Sequence, residues 1–211
     1  MPTAKVIDLS HHNSPIGKQF DFVKARADGC VGVICKASEG GTFRDSSYPL
    51  LRTSATAAGL LWGAYHFGTA AKSIDQVSNF LNAADPDDST LMCLDFEENE
   101  RSPGNSITEG IAIEMLAMLK QRLGRTPTLY TGPYMYKLFG TKASVALSKY
   151  RVWWARYSKE PELHPTWSNY WLWQFTDGHN GPLPHSVDGI GNCDCSTYDG
   201  TSKQLQAAWI A

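Results

Sequence analysis

Residues 91–130 read LMCLDFEENERSPGNSITEGIAIEMLAMLKQRLGRTPTLY, and this stretch decides the fold. It opens with a short apolar run, Leu91–Phe96, that passes directly into the acidic segment Asp95-Phe96-Glu97-Glu98. Next comes Ser106-Ile107-Thr108-Glu109, which has the spacing of a capping box and predicts a helix start. Apolar positions then recur at helical spacing over Glu109–Leu123, and Gly124 is placed to end the helix. A second short apolar run, Pro127–Tyr130, follows. Strand, helix and strand in this order, joined by short loops, make one unit of an α/β domain with a mostly parallel sheet.

The same grammar extends in both directions. Strand-like runs occur at Val6–Leu9, Val31–Lys36, Leu61–Phe67, Val152–Ala155, Trp171–Phe175 and, more weakly, Cys193–Ser196. Helices are expected from a second capping-box pattern at Ser73-Ile74-Asp75-Gln76, over Tyr48–Ala58 before Gly59, and over about Ser202–Trp209. Roughly eight strands suggest a closed barrel. Eight full strand–helix units usually need ~250 residues, so in 211 some helices must be short or missing. No GxGxxG follows the first strand, and no GxxxxGK[ST] loop is present, which disfavours an open doubly wound sheet. The expectation is an irregular, TIM-like β/α barrel forming one domain over residues 1–211, with its core at about 5–200.

Composition narrows the function. A formal net charge of -2 gives no electrostatic reason to expect nucleic acid or an anionic membrane surface as a partner. No stretch approaches the ~18 apolar residues of a membrane span. Met1-Pro2-Thr3-Ala4-Lys5 leaves no room for a secretory leader before the first strand, so synthesis in the cytosol is expected. Five cysteines cannot all pair within one chain, and Cys193 and Cys195 are too close in sequence for ordinary disulfide geometry. Reduced thiols are the plain reading, with Cys30, Cys35 and Cys93 as small core hydrophobes. No CxxC or HExxH occurs, so no metal and no cofactor are expected.

In a barrel of this kind, side chains at the C-terminal strand ends converge on one face. The first run ends at Asp8-Leu9-Ser10, the second leads into Glu39, the fourth ends in the Asp95–Glu97 segment, and the last carries Asp194. Asp95 and Glu97 share a face of an extended strand about 6.6 Å apart at ~3.3 Å per residue. Two such carboxylates, partly desolvated, repel each other's ionised forms, and one is expected to stay protonated. That division suits glycoside hydrolysis, but an Asp-x-Glu can equally be two solvated loop residues. Five tryptophans between Trp153 and Trp173 supply flat faces for sugar rings, with core packing as the other reading; Trp154 and Trp173 are evenly balanced. His11 and His12 read as loop residues that point apart, and His66 as a structural histidine. A serine hydrolase is disfavoured because no GxSxG elbow is present.

The ordered segments resemble the glycoside hydrolase family 25 lysozymes, the Chalaropsis-type muramidases that include phage endolysins. The matching pieces are Ile7-Asp8-Leu9-Ser10-His11-His12, Val33–Gly40, Gly63-Ala64-Tyr65-His66-Phe67, Leu94-Asp95-Phe96-Glu97, Pro127–Thr131, Val152–Tyr157 and Trp171–Phe175. The resemblance implies an irregular β/α barrel that cleaves the β-1,4 bond between N-acetylmuramic acid and N-acetylglucosamine. It implies Glu97 as general acid, Asp95 as stabiliser of positive charge or holder of the 2-acetamido group, and Asp8 and Asp194 completing an acidic cleft. Lys36, Tyr65, Tyr130, Trp154 and Gln174 are implied as sugar contacts. The family's last strand usually reads Asp, Asn and an aromatic residue, whereas here Asp194 lies between Cys193 and Cys195. The implied protein is a monomer acting on peptidoglycan glycan strands of the bacterial wall, released by a holin or another route, with no separate wall-binding module. A sugar-binding barrel without catalysis, and a phosphodiesterase using the carboxylates as Mg²⁺ ligands, are the competing readings.

Overall fold

The computed structural model describes residues 4–13 and 19–210; the reading of Met1-Pro2-Thr3 lies outside them. Eight strands close into a barrel: β1 (Ala4–Leu9), β2 (Cys30–Glu39), β4 (Leu61–Phe67), β5 (Leu91–Asp95), β6 (Thr128–Thr131), β7 (Val152–Ala155), β8 (Leu172–Thr176) and β11 (Asp194–Tyr198). Outside the barrel, a two-residue strand, β3 (Phe43–Arg44), pairs antiparallel with the end of β2, and a small hairpin is made by β9 (Ser186–Val187) and β10 (Gly191–Asn192). Neighbours from β1 through β8 pair in parallel. The exception is β11, which runs antiparallel to both β8 and β1. The sequence expectation of a mostly parallel barrel therefore holds, with one reversed strand at the seam.

Among the described residues six α-helices pack outside: α1 (Phe22–Ala27), α2 (Tyr48–Ala57), α3 (Ser73–Ala84), α4 (Glu109–Leu123), α5 (Tyr134–Phe139) and α6 (Ser202–Ala208). No helix follows β7 or β8, and α1 and α5 have six residues each. This is how the fold fits a chain of this length. Gly124 ends α4 in a left-handed conformation (φ 68°) that an L side chain rarely adopts, and its N–H bonds to the Lys120 carbonyl.

Both expected capping boxes are corrected. Ser73 lies inside the first turn of α3, with Lys72 at the cap, and its hydroxyl donates to Glu114 Oε2 at 2.7 Å. Thr108, not Ser106, caps α4 by accepting the Ile111 N–H, while Ser106 Oγ accepts the Asn99 N–H. In both cases a tertiary partner takes the serine. The box that forms is Thr201 with Gln204, at the start of α6.

Strand alternation sorts the side chains into two layers. Ile7, Leu9, Val33, Cys35, Ala64, Leu94, Leu129 and Trp154 face outward into the main core beneath the helices. Val6, Ile34, Leu91, Cys93, Tyr130, Trp153 and Leu172 fill the barrel interior. Gly32 is required at the N-terminal end of that interior, because a Cβ there would lie 2.8 Å from the Trp209 ring. Trp209 follows α6 and plugs this end, donating its indole N–H to the Trp62 carbonyl at 2.9 Å. Beside it Arg151 donates to Thr128 Oγ1 and to the Ala208 and Trp209 carbonyls, its guanidinium stacked 4.0 Å from the Trp171 ring centre. All five cysteines are buried free thiols.

Candidate active site

With the N-terminal end plugged, a cavity of about 140 Å³ opens at the other end of the barrel. Asp8, Tyr65, Asp95, Glu97, Tyr130, Trp153, Gln174 and Asp194 line it. Asp8, Tyr65 and Asp95 lie at or near the C-terminal ends of β1, β4 and β5, as the barrel rule requires. Asp194 arrives differently. It is the first residue of β11, and only the reversal of that strand puts its start on this face, in register with Asp8. A second cavity, of about 390 Å³, continues on the far side of Glu97 and adds His12, Lys36, Glu39, Phe67, Glu98 and Arg101. Tyr65, Asp95 and Glu97 belong to both. The result is one cleft with Tyr65, Asp95 and Glu97 at its waist.

The carboxyls differ in depth. Asp8 and Asp95 are buried at the floor, whereas Glu97 and Asp194 are half-buried at the mouth. Burial pushes all four above the ordinary carboxyl range. Glu97 rises to about 7, chiefly through desolvation and then the charge of Glu100, with Lys36 pulling the other way. Asp194 rises to about 6 by burial. Asp8 rises well above its usual value through burial and the Asp194 charge, opposed by a hydrogen bond from Gln174. Asp95 also rises well above it, through burial and the Glu97 charge, and its Oδ1 has no hydrogen-bond partner among the described residues. The sequence expectation attributed the protonation of Glu97 to its neighbour's charge. Desolvation is instead the larger cause, and Asp95 is raised with it, so the four groups titrate as a cluster that retains protons at neutral pH.

Gln174 organises the floor. Its Nε2 donates to Asp8 Oδ2 at 2.8 Å and to Asp194 Oδ1 at 3.5 Å. Its Oε1 accepts the hydroxyls of Tyr130 at 2.9 Å and Tyr157 at 3.0 Å. Both ends of the amide are thereby fixed, and its orientation is set by chemistry: two hydroxyl donors hold the oxygen and two carboxylates take the N–H groups. Lys36, on β2, pairs with Glu39 at 2.6 Å and lies 5.0 Å from the Phe67 ring centre.

Of the expected sugar contacts, Lys36, Tyr65, Tyr130 and Gln174 line the cleft, with the polar atoms of Tyr130 and Gln174 engaged with each other. Trp154 does not line it. It faces outward into the helix-covered core and donates its indole N–H to the Pro161 carbonyl. Its neighbour Trp153 takes the interior place, ring centres 4.6 Å from Tyr130, with its N–H on Ser196 Oγ. Four strand residues are too few to reveal the phase of the alternation. The usable signal was register, because Asp95, Tyr130 and Trp153 are successive partners across β5, β6 and β7. Tyr157, just past β7, joins the site through its hydroxyl on Gln174, a contact that no local sequence pattern signals. Glu98 turns to Lys137 in an ion pair.

His66 is structural, as expected. Its Nε2 faces the Gln76 carbonyl oxygen at 3.2 Å and so carries the proton, leaving Nδ1 to accept the Ser38 hydroxyl at 2.8 Å. Burial lowers it to about 4. The rings of His11 and His12 do not point apart but lie 3.9 Å centre to centre, with His11 held on Asp45 at 2.8 Å. Among the described residues no group of three His, Cys, Asp or Glu side chains is arranged to hold a metal ion.

A closed mixed barrel with an acidic cleft at its C-terminal strand ends is a fold-and-site combination used by sugar-cleaving enzymes. Residues 7–182 match the family described as glycosyl hydrolases family 25, and the chain belongs to that family. It is 29% identical over 204 residues to an N,O-diacetylmuramidase of Arthroderma benhamiae, covering 88% of this chain and 80% of that one. It is 28% identical over 176 residues to the uncharacterized protein YegX of Escherichia coli, covering 81% of this chain but 60% of YegX. A bacterial lysozyme from Streptomyces coelicolor has the same fold, with a TM-score of 0.82 at 22% identity over 99% of this chain and 97% of that one.

Proposed function

We propose that this protein is a peptidoglycan muramidase that hydrolyses the β-1,4 bond between N-acetylmuramic acid and N-acetylglucosamine, with Glu97 as the general acid. The observation that carries this reading is the position of Glu97 between the two cavities, half-buried and with its carboxyl raised to about 7. A glycan strand laid through both cavities has its bridging oxygen beside a group that still holds a proton at neutral pH and can re-form it after each turnover.

In this reading Glu97 gives its proton to the leaving oxygen as the bond from that oxygen to the anomeric carbon breaks. The 2-acetamido oxygen of the muramic residue closes on the anomeric carbon from the opposite face, and Asp95 takes the acetamido N–H. Asp194, raised only to about 6, supplies negative charge beside the developing oxocarbenium ion, and Gln174 bridges it to Asp8 on the floor. Glu97, now ionised, removes a proton from the water that opens the ring intermediate, and the β configuration is kept.

The experiment is lysis of bacterial walls by Glu97→Gln. The amide keeps the shape but has no proton to give, and general-acid loss costs about 10²–10⁴ in rate. Mass spectrometry of parental digests is expected to show muramic acid at the new reducing ends. Lysis by the variant at the parental rate, or N-acetylglucosamine at those ends, overturns the assignment. An initial α-anomer by NMR overturns acetamido participation alone.

A further inference from the structure

The N-terminal end of the barrel carries a groove larger than the catalytic cavity, about 670 Å³ against about 140 Å³. It lies where β7 begins and β11 ends, walled by the segment joining β7 to β8, and Tyr150, Trp167, Tyr170, Trp171 and Tyr198 supply its rings.

The tyrosine hydroxyls of this molecule fall into two sets. Of the nine tyrosines, Tyr48, Tyr130, Tyr134, Tyr136 and Tyr157 donate their hydroxyls to protein acceptors. The other four are Tyr65, Tyr150, Tyr170 and Tyr198, whose hydroxyls have no partner among the described residues. Tyr65 lines the cleft, and the remaining three all line this groove. Hydroxyls left without protein partners thus collect at the two concave surfaces. In the groove they accompany the side chains of Ser168 and Asn169, which are likewise unpartnered among the described residues. Aromatic faces beside free hydroxyl and amide groups match a polyhydroxylated ring, whose C–H face stacks while its rim hydrogen-bonds.

The platform is also rigid. Trp171 is held between the Arg151 guanidinium, 4.0 Å from its ring centre, and the Trp209 ring at 5.8 Å. Arg151 is in turn fixed by Thr128 and two backbone carbonyls, so little ordering is left to a ligand. Arg151 and Lys149 are balanced only in part by Asp199, and none of the three is in an ion pair among the described residues. That suits a neutral or singly acidic saccharide better than a polyanion.

We propose that this groove is a second saccharide site, binding N-acetylated amino-sugar chains of the wall. The choice of a wall glycan rests on the function proposed above. Because the groove lies at the opposite end of the barrel from the cleft, the two sites take different strands, and the second raises retention on the wall without entering the reaction.

The test is an NMR titration of the Glu97→Gln protein with an N-acetylglucosamine tetramer, observing indole N–H signals. Trp153 reports the cleft, whereas Trp167 and Trp171 report the groove. Both sets are expected to shift, with independent midpoints. Tyr170→Ala is expected to weaken the groove midpoint about fivefold and leave that of Trp153 in place. Asn169→Ala, at an exposed position that cannot unfold the protein, is expected to weaken it in the same direction. In the Glu97-intact protein both substitutions are expected to lower retention on insoluble walls several-fold while sparing hydrolysis of soluble fragments. Groove signals that do not move, or wall retention unchanged in both variants, overturn the proposal. A silent Trp153 with moving groove signals would instead overturn the cleft assignment and leave the groove standing.

Discussion

Glu97 offers a measurement independent of catalysis. Its carboxyl is raised by burial from 4.5 to about 7, so between those values the folded protein holds a proton that the unfolded chain has released. Stability attributable to this group is full below about pH 4.5 and declines as pH rises toward 7, then stays level. The gap, at ~1.4 kcal/mol per pH unit, comes to about 3 kcal/mol, and because the neighbouring carboxyls titrate with it this is a ceiling. Glutamine in its place is neutral at every pH. Glu97→Gln is therefore expected to be about 2–3 kcal/mol more stable than the parent at pH 8 and equal to it at pH 4. Urea unfolding at both values, read by tryptophan fluorescence, gives the difference directly. The same substitution that is expected to lower lysis should thus stabilise the fold, a trade expected where a charged group is kept desolvated for use. A variant less stable than the parent at pH 8, or equally displaced at both pH values, would refute the reasoning.

Gln174→Met removes the donor that favours the ionised form of Asp8. A hydrogen bond to a carboxylate contributes about 1.5–3 kcal/mol, so the acid limb of the pH–rate profile should move up by about one to two pH units. Gly32→Ala places a methyl group against the Trp209 ring, and a loss of about 1–3 kcal/mol is expected in thermal or denaturant unfolding, with the lysis rate of the folded protein unchanged. Because all five cysteines are free, added reductant should leave the melting temperature where it is, and a fall on reduction would reveal a disulfide.

The sequence was most legible where period and punctuation agreed. Leu61–Phe67, Val152–Ala155 and Glu109–Leu123 are found at the residues expected. Helices α1 and α5 escaped because six residues hold too little of a 3.6-residue period to see. Capping serines misled because a side-chain oxygen goes to whichever donor or acceptor the fold brings near, as Glu114 shows for Ser73. The grouping of Asp8, Asp95 and Glu97 could be read from strand ends, whereas Asp194 joins them only through the reversal of β11, which the sequence does not announce, and the strength and cause of their protonation could not be read at all. Those depend on the depth of the floor and on Gln174, whose partners lie as far as 166 residues away.

The reversed strand has a consequence for when the cleft comes into being. Asp8 and Asp194 face each other across the seam where β11 closes the barrel between β1 and β8. As the polypeptide leaves the ribosome, β5 with its acidic segment is made early, yet Gln174 has only one of its two carboxylates until β11 docks. The pocket is therefore completed only when the last barrel strand in chain order takes its place between β1 and β8.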